Sequence, residues 1–494
     1  MKKTAIILLI LTFGFVASVS ADHPKYRVVI LTDQTHDDGN SLIRYLYYSH
    51  FFDTEAIIVT PQLPDFNHND PGPWNKAQSI INAYEQEYPH LKKHQSDLIT
   101  PEQLRKVTKQ GRGAIPILFL TNARKFSGEI AGRHVESSWG DIHFHDWIGE
   151  GLNPNGEPKD SEGSEYLLEV FSKKDDRPIY VQSWGGPITL IQALYRFRQK
   201  NGDKKFSQLL AKLHVFGILL QDITFDYLIS LDDVKTHGCL NMGDTKSTYT
   251  GERFSPGWLL LDEGHFWKYI SVMKQNEVNG HGPMSNLYDH GGEGDTPAFL
   301  YLVSAALGLN DPADPTMGSW GTMFTKMQGP FPDSYFSTCN VNVNEMMRWV
   351  PEVKNNFMNR LDWSLKEPKE VNHEPVAAIG KDRSNNIIRI KAKPGKTLQL
   401  DASRSFDPDG DQLAIKWFVY ETAGTYTGKY ALEGKTSSIL NLKMPEDLGD
   451  KEIHLILEVR DQGTPSLVSY RRVILQNLQA PRPSSLPSKS RSPR

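Results

Sequence analysis

From residue 26 to about residue 363, short apolar runs alternate with segments of helical periodicity, and this alternation constrains the fold most strongly. Residues 27–31, 55–59, 115–120, 178–183 and 213–220 read as strands. Residues 40–48, 76–84, 161–171, 189–196 and 298–306 read as helices, with Ser161 and Ser164 as capping residues at the start of one. This βαβα order predicts an α/β fold: an open, mostly parallel sheet with helices on both faces. Ligands of such sheets bind outside the carboxyl ends of the strands.

The pattern changes at 366–374, a charged, proline-containing stretch that reads as a linker. Beyond it, residues 387–390, 397–400, 414–420, 438–442 and 453–459 alternate as short strands separated by turn residues. They predict an all-β, immunoglobulin-like sandwich over 375–478, followed by a disordered tail at 479–494. At the other end, Lys2 and Lys3, the apolar run 6–16 and Val19-Ser20-Ala21 have the form of a bacterial signal peptide over 1–21. The expected location is therefore periplasmic or secreted, with the α/β domain over 22–365. No cysteine stands directly after the apolar run and no later run is long enough to span a bilayer, so no membrane anchor is expected. The net charge of -4 gives no reason to expect nucleic-acid binding. Cys239 and Cys339 suit a disulfide in an oxidising compartment, but sequence leaves their pairing open, as it does the oligomeric state.

Chemistry concentrates after the first strand, where Asp33, Asp37 and Asp38 fall within six positions. Helix capping accounts for one or two of them. Three at one point cost free energy unless a cation or a bound polyol compensates the charge, and a hard, oxygen-liganded metal such as calcium suits them. An Asp beside such a metal can also serve as a general base toward water. Two further segments sit where a ligand would. Gly185-Gly186-Pro187-Ile188-Thr189 forms a strand-to-helix turn. Glu293-Gly294-Asp295-Thr296-Pro297 opens a helix within a stretch dense in glycine. Two other clusters read at least as simply without metal. His143 and His145 alternate as zinc ligands do but also suit a polar loop. Asp407-Pro408-Asp409-Gly410-Asp411 suits either structural calcium or an Asx turn.

In this order, Asp33 with Asp37-Asp38, Gly186-Pro187-Ile188-Thr189 and the late Asp295 resemble the nucleoside hydrolase family. The resemblance implies calcium held by Asp33, Asp38, the Thr189 carbonyl and Asp295. It makes Asp33 the base toward water, with Asp37 and Asp295 on sugar hydroxyls. A closer resemblance is to exported bacterial cellulose-binding-type proteins that join a nucleoside-hydrolase-like domain to an immunoglobulin-like one. It is carried by Ser183-Trp184-Gly185-Gly186, by residues 293–297 and by the sandwich; the turn at 405–411 is also similar to polycystic-kidney-disease-type modules. Gln34-Thr35 replace the family's Pro-Gly, Gly294 stands where a histidine often precedes the late Asp, and Asp222 is the nearest match to its ribose-binding segment. The metal and diol residues match and the nucleobase end does not. The implied activity is hydrolysis of glycosidic or N-ribosyl bonds, with Glu293, His290 or Asp222 protonating the leaving group. The alternative is a non-catalytic carbohydrate-binding protein, with Trp184, Trp320 or Trp139 stacked on sugar.

Overall fold

A computed structural model describes residues 25–60, 72–112, 126–130, 133–137, 160–218, 223–230, 252–262, 272–327, 334–336 and 343–478. Outside them lie the leader, the expected strand at 115–120, Trp139, His143, His145, Asp222, Cys239, Cys339 and the tail. Among the described residues, no helix is long and apolar enough to cross a membrane.

The strands are β1 (Tyr26–Thr32), β2 (Phe52–Val59), β3 (Thr108–Gln110), β4 (Phe126–Ile130), β5 (Arg133–Ser137), β6 (Ile179–Ser183), β7 (Leu213–Ile218), β8 (Trp258–Asp262), β9 (Thr325–Lys326) and β10 (Ser334–Phe336). Eight of them form one sheet in the order β3-β2-β1-β6-β7-β8-β10-β9. All its pairs are parallel except β9 with β10. The chain builds outward from β1 through β2 to β3, then returns to place β6 on the other side of β1. The β1/β6 boundary is therefore the topological switch point, where a crevice opens at the carboxyl edge.

Strand alternation assigns the core. Val28, Ile30, Tyr180 and Trp184 face one apolar layer with Tyr45 and Phe299, from helices His36–Tyr47 and Pro297–Ala306. Val29, Leu31, Val181 and Val215 face the other, against Leu167, Leu190 and Leu194 of helices Glu162–Ser172 and Ile188–Lys212. Each such side chain contributes roughly 1.5–3 kcal/mol on burial. Ser161 caps its helix reciprocally with Ser164, as expected.

The C-terminal part has β11 (Ile388–Ala392), β12 (Thr397–Asp401), β13 (Ala414–Val419), β14 (Ala431–Glu433), β15 (Ile439–Lys443), β16 (Glu452–Arg460) and β17 (Val468–Asn477). They form two sheets, β11-β17-β16-β13 and β12-β15-β14. Leu400, Leu440 and Leu442 of the smaller meet Trp417, Leu455, Leu457 and Val473 of the larger in one core.

A candidate cation and sugar site at the switch point

Asp33 leaves the carboxyl end of β1, and Asp37 and Asp38 occupy the first turn of the helix His36–Tyr47. The turn between them is internally bonded. Thr35 N–H donates to Asp33 Oδ1 at 2.8 Å. Asp38 Oδ1 accepts from the Thr32 hydroxyl at 2.5 Å and from Asp33 N–H at 3.0 Å. The Thr35 hydroxyl lies 3.3 Å from Asp37 Oδ1 and 3.2 Å from Asp38 Oδ2. Gln34 takes a left-handed φ of 56°, the only non-glycine among the described residues to do so.

Asp295 reaches this turn from a distant part of the chain because one helix face clamps its segment. Asn40 Nδ2 donates to Gly292 O at 2.8 Å, and Asn40 Oδ1 accepts from Asp289 N–H at 2.9 Å. Thr296 donates to Ser41 Oγ at 3.0 Å. Arg44 holds both oxygens of Glu293, at 2.8 and 2.7 Å. Asp37, Asn40, Ser41 and Arg44 recur at helical spacing, so one stripe carries a site carboxylate and its scaffold.

The result is a trio: oxygens of Asp37, Asp38 and Asp295 all lie within 4.8 Å of one another. Asp295 is fully buried, and neither of its carboxylate oxygens has a hydrogen-bond partner among the described residues. Asp33 Oδ2 is likewise buried and unpartnered among them. Burial, then repulsion by Asp38, pushes the Asp33 carboxyl well above its usual range. Burial, then Asp37, raises that of Asp38. Burial, then Asp38 and Asp37, does the same strongly for Asp295. An all-oxygen, anionic donor set with orphaned oxygens fits a hard divalent cation.

The other expected site residues fare differently. Thr189 is the second residue of the helix Ile188–Lys212, where carbonyls are directed along the helix axis. Its hydroxyl accepts from Arg112 N–H at 3.0 Å. The preceding turn still matters: a Cβ on Gly185 would stand 2.6 Å from Asp33 N. Glu293 is not free to meet substrate or donate a proton, because Arg44 engages both its oxygens in a pair 0% and 2% exposed. Trp184 is fully buried beside Tyr45 and Phe299, and Trp320 is fully buried beside Tyr470, so neither offers a face to sugar. His290 is exposed. Sequence reading missed Asn40 and Arg44; the polar stripe at helical spacing after Asp37 was the available signal.

A family model described as the nucleoside hydrolase-like domain of cellulose-binding Sde182 matches residues 27–324. Another, described as the C-terminal domain of cellulose-binding protein Sde0182, matches 397–477. No curated protein gives a match. Among solved structures, the chain is similar to a nucleoside hydrolase-related protein from Saccharophagus degradans described as associated with carbohydrate metabolism. The two are 26% identical, with a TM-score of 0.69, over 92% of this chain and 100% of that one. An inosine-guanosine nucleoside hydrolase aligns at 12% identity and a TM-score of 0.30, over 69% of this chain and 98% of its own. Matched across 27–324, well over half its length, and again across 397–477, this chain belongs to the family of cellulose-binding Sde182 proteins with a nucleoside hydrolase-like domain.

Proposed function

We propose that this protein is an exported, carbohydrate-directed member of its family that binds sugar hydroxyls at the acidic centre together with calcium. The observation that carries the reading is Asp295: a fully buried carboxylate, both oxygens without hydrogen-bond partners among the described residues, facing Asp37 and Asp38. Asp37, Asp38 and Asp295 would hold the cation. When bound, calcium supplies positive charge and open coordination positions for vicinal hydroxyls or water. The family's cellulose-binding description supports a glycan ligand.

Hydrolysis of a glycosyl bond is the second reading, favoured by Asp33. Thr35 N–H fixes its Oδ1 and leaves Oδ2 to accept a proton from water. With Glu293 held by Arg44, the exposed His290 is the described residue of the same segment suited to protonate a leaving group.

Calorimetric titration separates these readings. Metal-free wild type should bind calcium, and cello-oligosaccharides only in its presence; Asp295→Asn should weaken both by about 100-fold or more, the scale of losing a charged ligand. Sugar affinity undiminished in chelator or in Asp295→Asn refutes the site. Release of sugar from glycosides or nucleosides by wild type, reduced about 10²–10⁴-fold in Asp33→Ala, supports hydrolysis. Absence of turnover by wild type leaves the binding reading alone.

A further inference from the structure

A second oxygen cluster lies far along the chain, where the linker meets the sandwich. Three segments converge there. Linker residue His373 donates its backbone N–H to Asp409 Oδ2 at 2.8 Å, and Val376 and Phe406 exchange backbone hydrogen bonds. The linker therefore lies along the turn Asp407-Pro408-Asp409-Gly410-Asp411. Asn372 Nδ2 donates to Pro465 O at 2.8 Å, which ties the linker to the loop after β16. That loop is held from the α/β side by Asn355, whose Nδ2 donates to Ser466 O at 3.1 Å.

Each segment contributes one buried oxygen with no hydrogen-bond partner among the described residues: Asn372 Oδ1, Asp407 Oδ2 and Asp461 Oδ2. Asp461 is 1% exposed and Asn372 8%. Their other polar atoms are engaged. Asp407 Oδ1 accepts from Asp409 N–H at 2.8 Å and Asp411 N–H at 3.2 Å; Asp461 Oδ1 accepts from Gly463 and Leu467 N–H, each at 3.0 Å. Both carboxylates are thus oriented by one oxygen, with the other left over. The side chains gather around Gly463: a Cβ there would collide with Asn372 Oδ1, and its N–H is the one bound to Asp461 Oδ1. Asp407 acts on the Asp461 carboxylate as a like charge. Burial first, then neighbouring carboxylates, makes the ionised form of Asp407 unfavourable. A neutral amide oxygen beside two carboxylates is a donor set for a hard cation, with water to complete a shell.

We propose that a calcium ion binds at this junction, held by Asn372 Oδ1, Asp407 Oδ2 and Asp461 Oδ2, and fastens the linker to the sandwich. The site is separate from the acidic centre and does not depend on it.

The test uses the full chain freed of metal and titrated with calcium alone, with stoichiometry read by calorimetry and folding by circular dichroism. Asp461→Asn should lower the number of bound calcium ions by one and reduce the calcium-dependent rise in melting temperature. Asp407→Asn, at a partly exposed turn, should do the same and decides the matter if Asp461→Asn does not fold. Asp295→Asn should lower the count by one independently, so failure of either site is distinguishable from failure of the other. Folded Asp407→Asn and Asp461→Asn with unchanged stoichiometry and affinity overturn the proposal.

Discussion

At the scale of single residues, Asp295 and Glu293 stand two positions apart and are opposites energetically. Asp295 has burial and like-charged neighbours with no donor among the described residues. Removing its charge while keeping its shape should therefore stabilise the metal-free protein. Asp295→Asn is expected to raise stability in chelator by about 1–3 kcal/mol while abolishing the calcium-dependent rise in melting temperature. Thermal melts with and without calcium check this. A metal-free variant less stable than metal-free wild type would remove the argument for a cation. Glu293 is matched by Arg44, which also lies 3.8 Å from the centre of the Phe357 ring. Glu293→Gln leaves that guanidinium buried without a counter-charge and should cost about 3–5 kcal/mol in urea unfolding. A loss below about 1 kcal/mol would contradict the pair's near-complete desolvation.

At the scale of elements, the site depends on how closely two loops approach the end of β1. A Cβ on Gly185 would meet Asp33 N at 2.6 Å and Asp33 Cβ at 2.7 Å. Backbone cannot swing aside, so Gly185→Ala should cost about 1–3 kcal/mol and displace Asp33. Calcium and sugar affinities measured on the folded variant should fall with it; unchanged affinities would detach this turn from the site. Such turns were legible in the sequence because the signals are local. The buried run of β1, the Ser161 cap, the Gly-Gly-Pro turn and the three aspartates each announce themselves within a few residues. What escaped depends on distant neighbours. The helix Ile188–Lys212 outruns its predicted end at residue 196 by bending at Gly202, whose φ is 77°. β17 went unread because Arg471 and Arg472 interrupt its apolar pattern, yet both are fully buried. Trp184 and Trp320 looked like sugar platforms because nothing in their local sequence reveals Tyr45, Phe299 or Tyr470 packing over them.

At the scale of the whole molecule, those buried arginines lie where the two predicted domains pack together: beside the sandwich's own core, Tyr420, Ile456, Val468 and Tyr470 join the apolar layer of the α/β part. Trp349, from the α/β side, packs on Tyr470 at 5.5 Å between ring centres and on Tyr420 at 6.0 Å, both in the sandwich. Arg472 reaches back across the junction to donate to the carbonyls of Leu309 at 2.5 Å and Met317 at 2.9 Å. Its Nη1 lies 2.9 Å from His454 Nδ1, and since guanidinium only donates, that ring nitrogen must accept. Burial, then the charge of Arg472, pushes the His454 pKa from 6.5 down to about 3, while Asp314 opposes the shift. In the unfolded chain this histidine takes a proton near 6.5; in the folded chain it does not until about 3. Its contribution to stability is therefore whole above 6.5 and lost as pH falls through that window, roughly 2–3 kcal/mol by pH 4.5. The raised carboxyls of the acidic centre work in the opposite sense, because protonation relieves them, so the wild-type profile alone is ambiguous. His454→Gln resolves it, since an amide oxygen can accept from Arg472 and does not titrate. Urea unfolding at pH 7 and pH 4.5 should show wild type losing about 2–3 kcal/mol more than this variant, each in a single transition because the core is shared. Identical pH dependence in the two proteins would show that the junction does not rest on a neutral histidine.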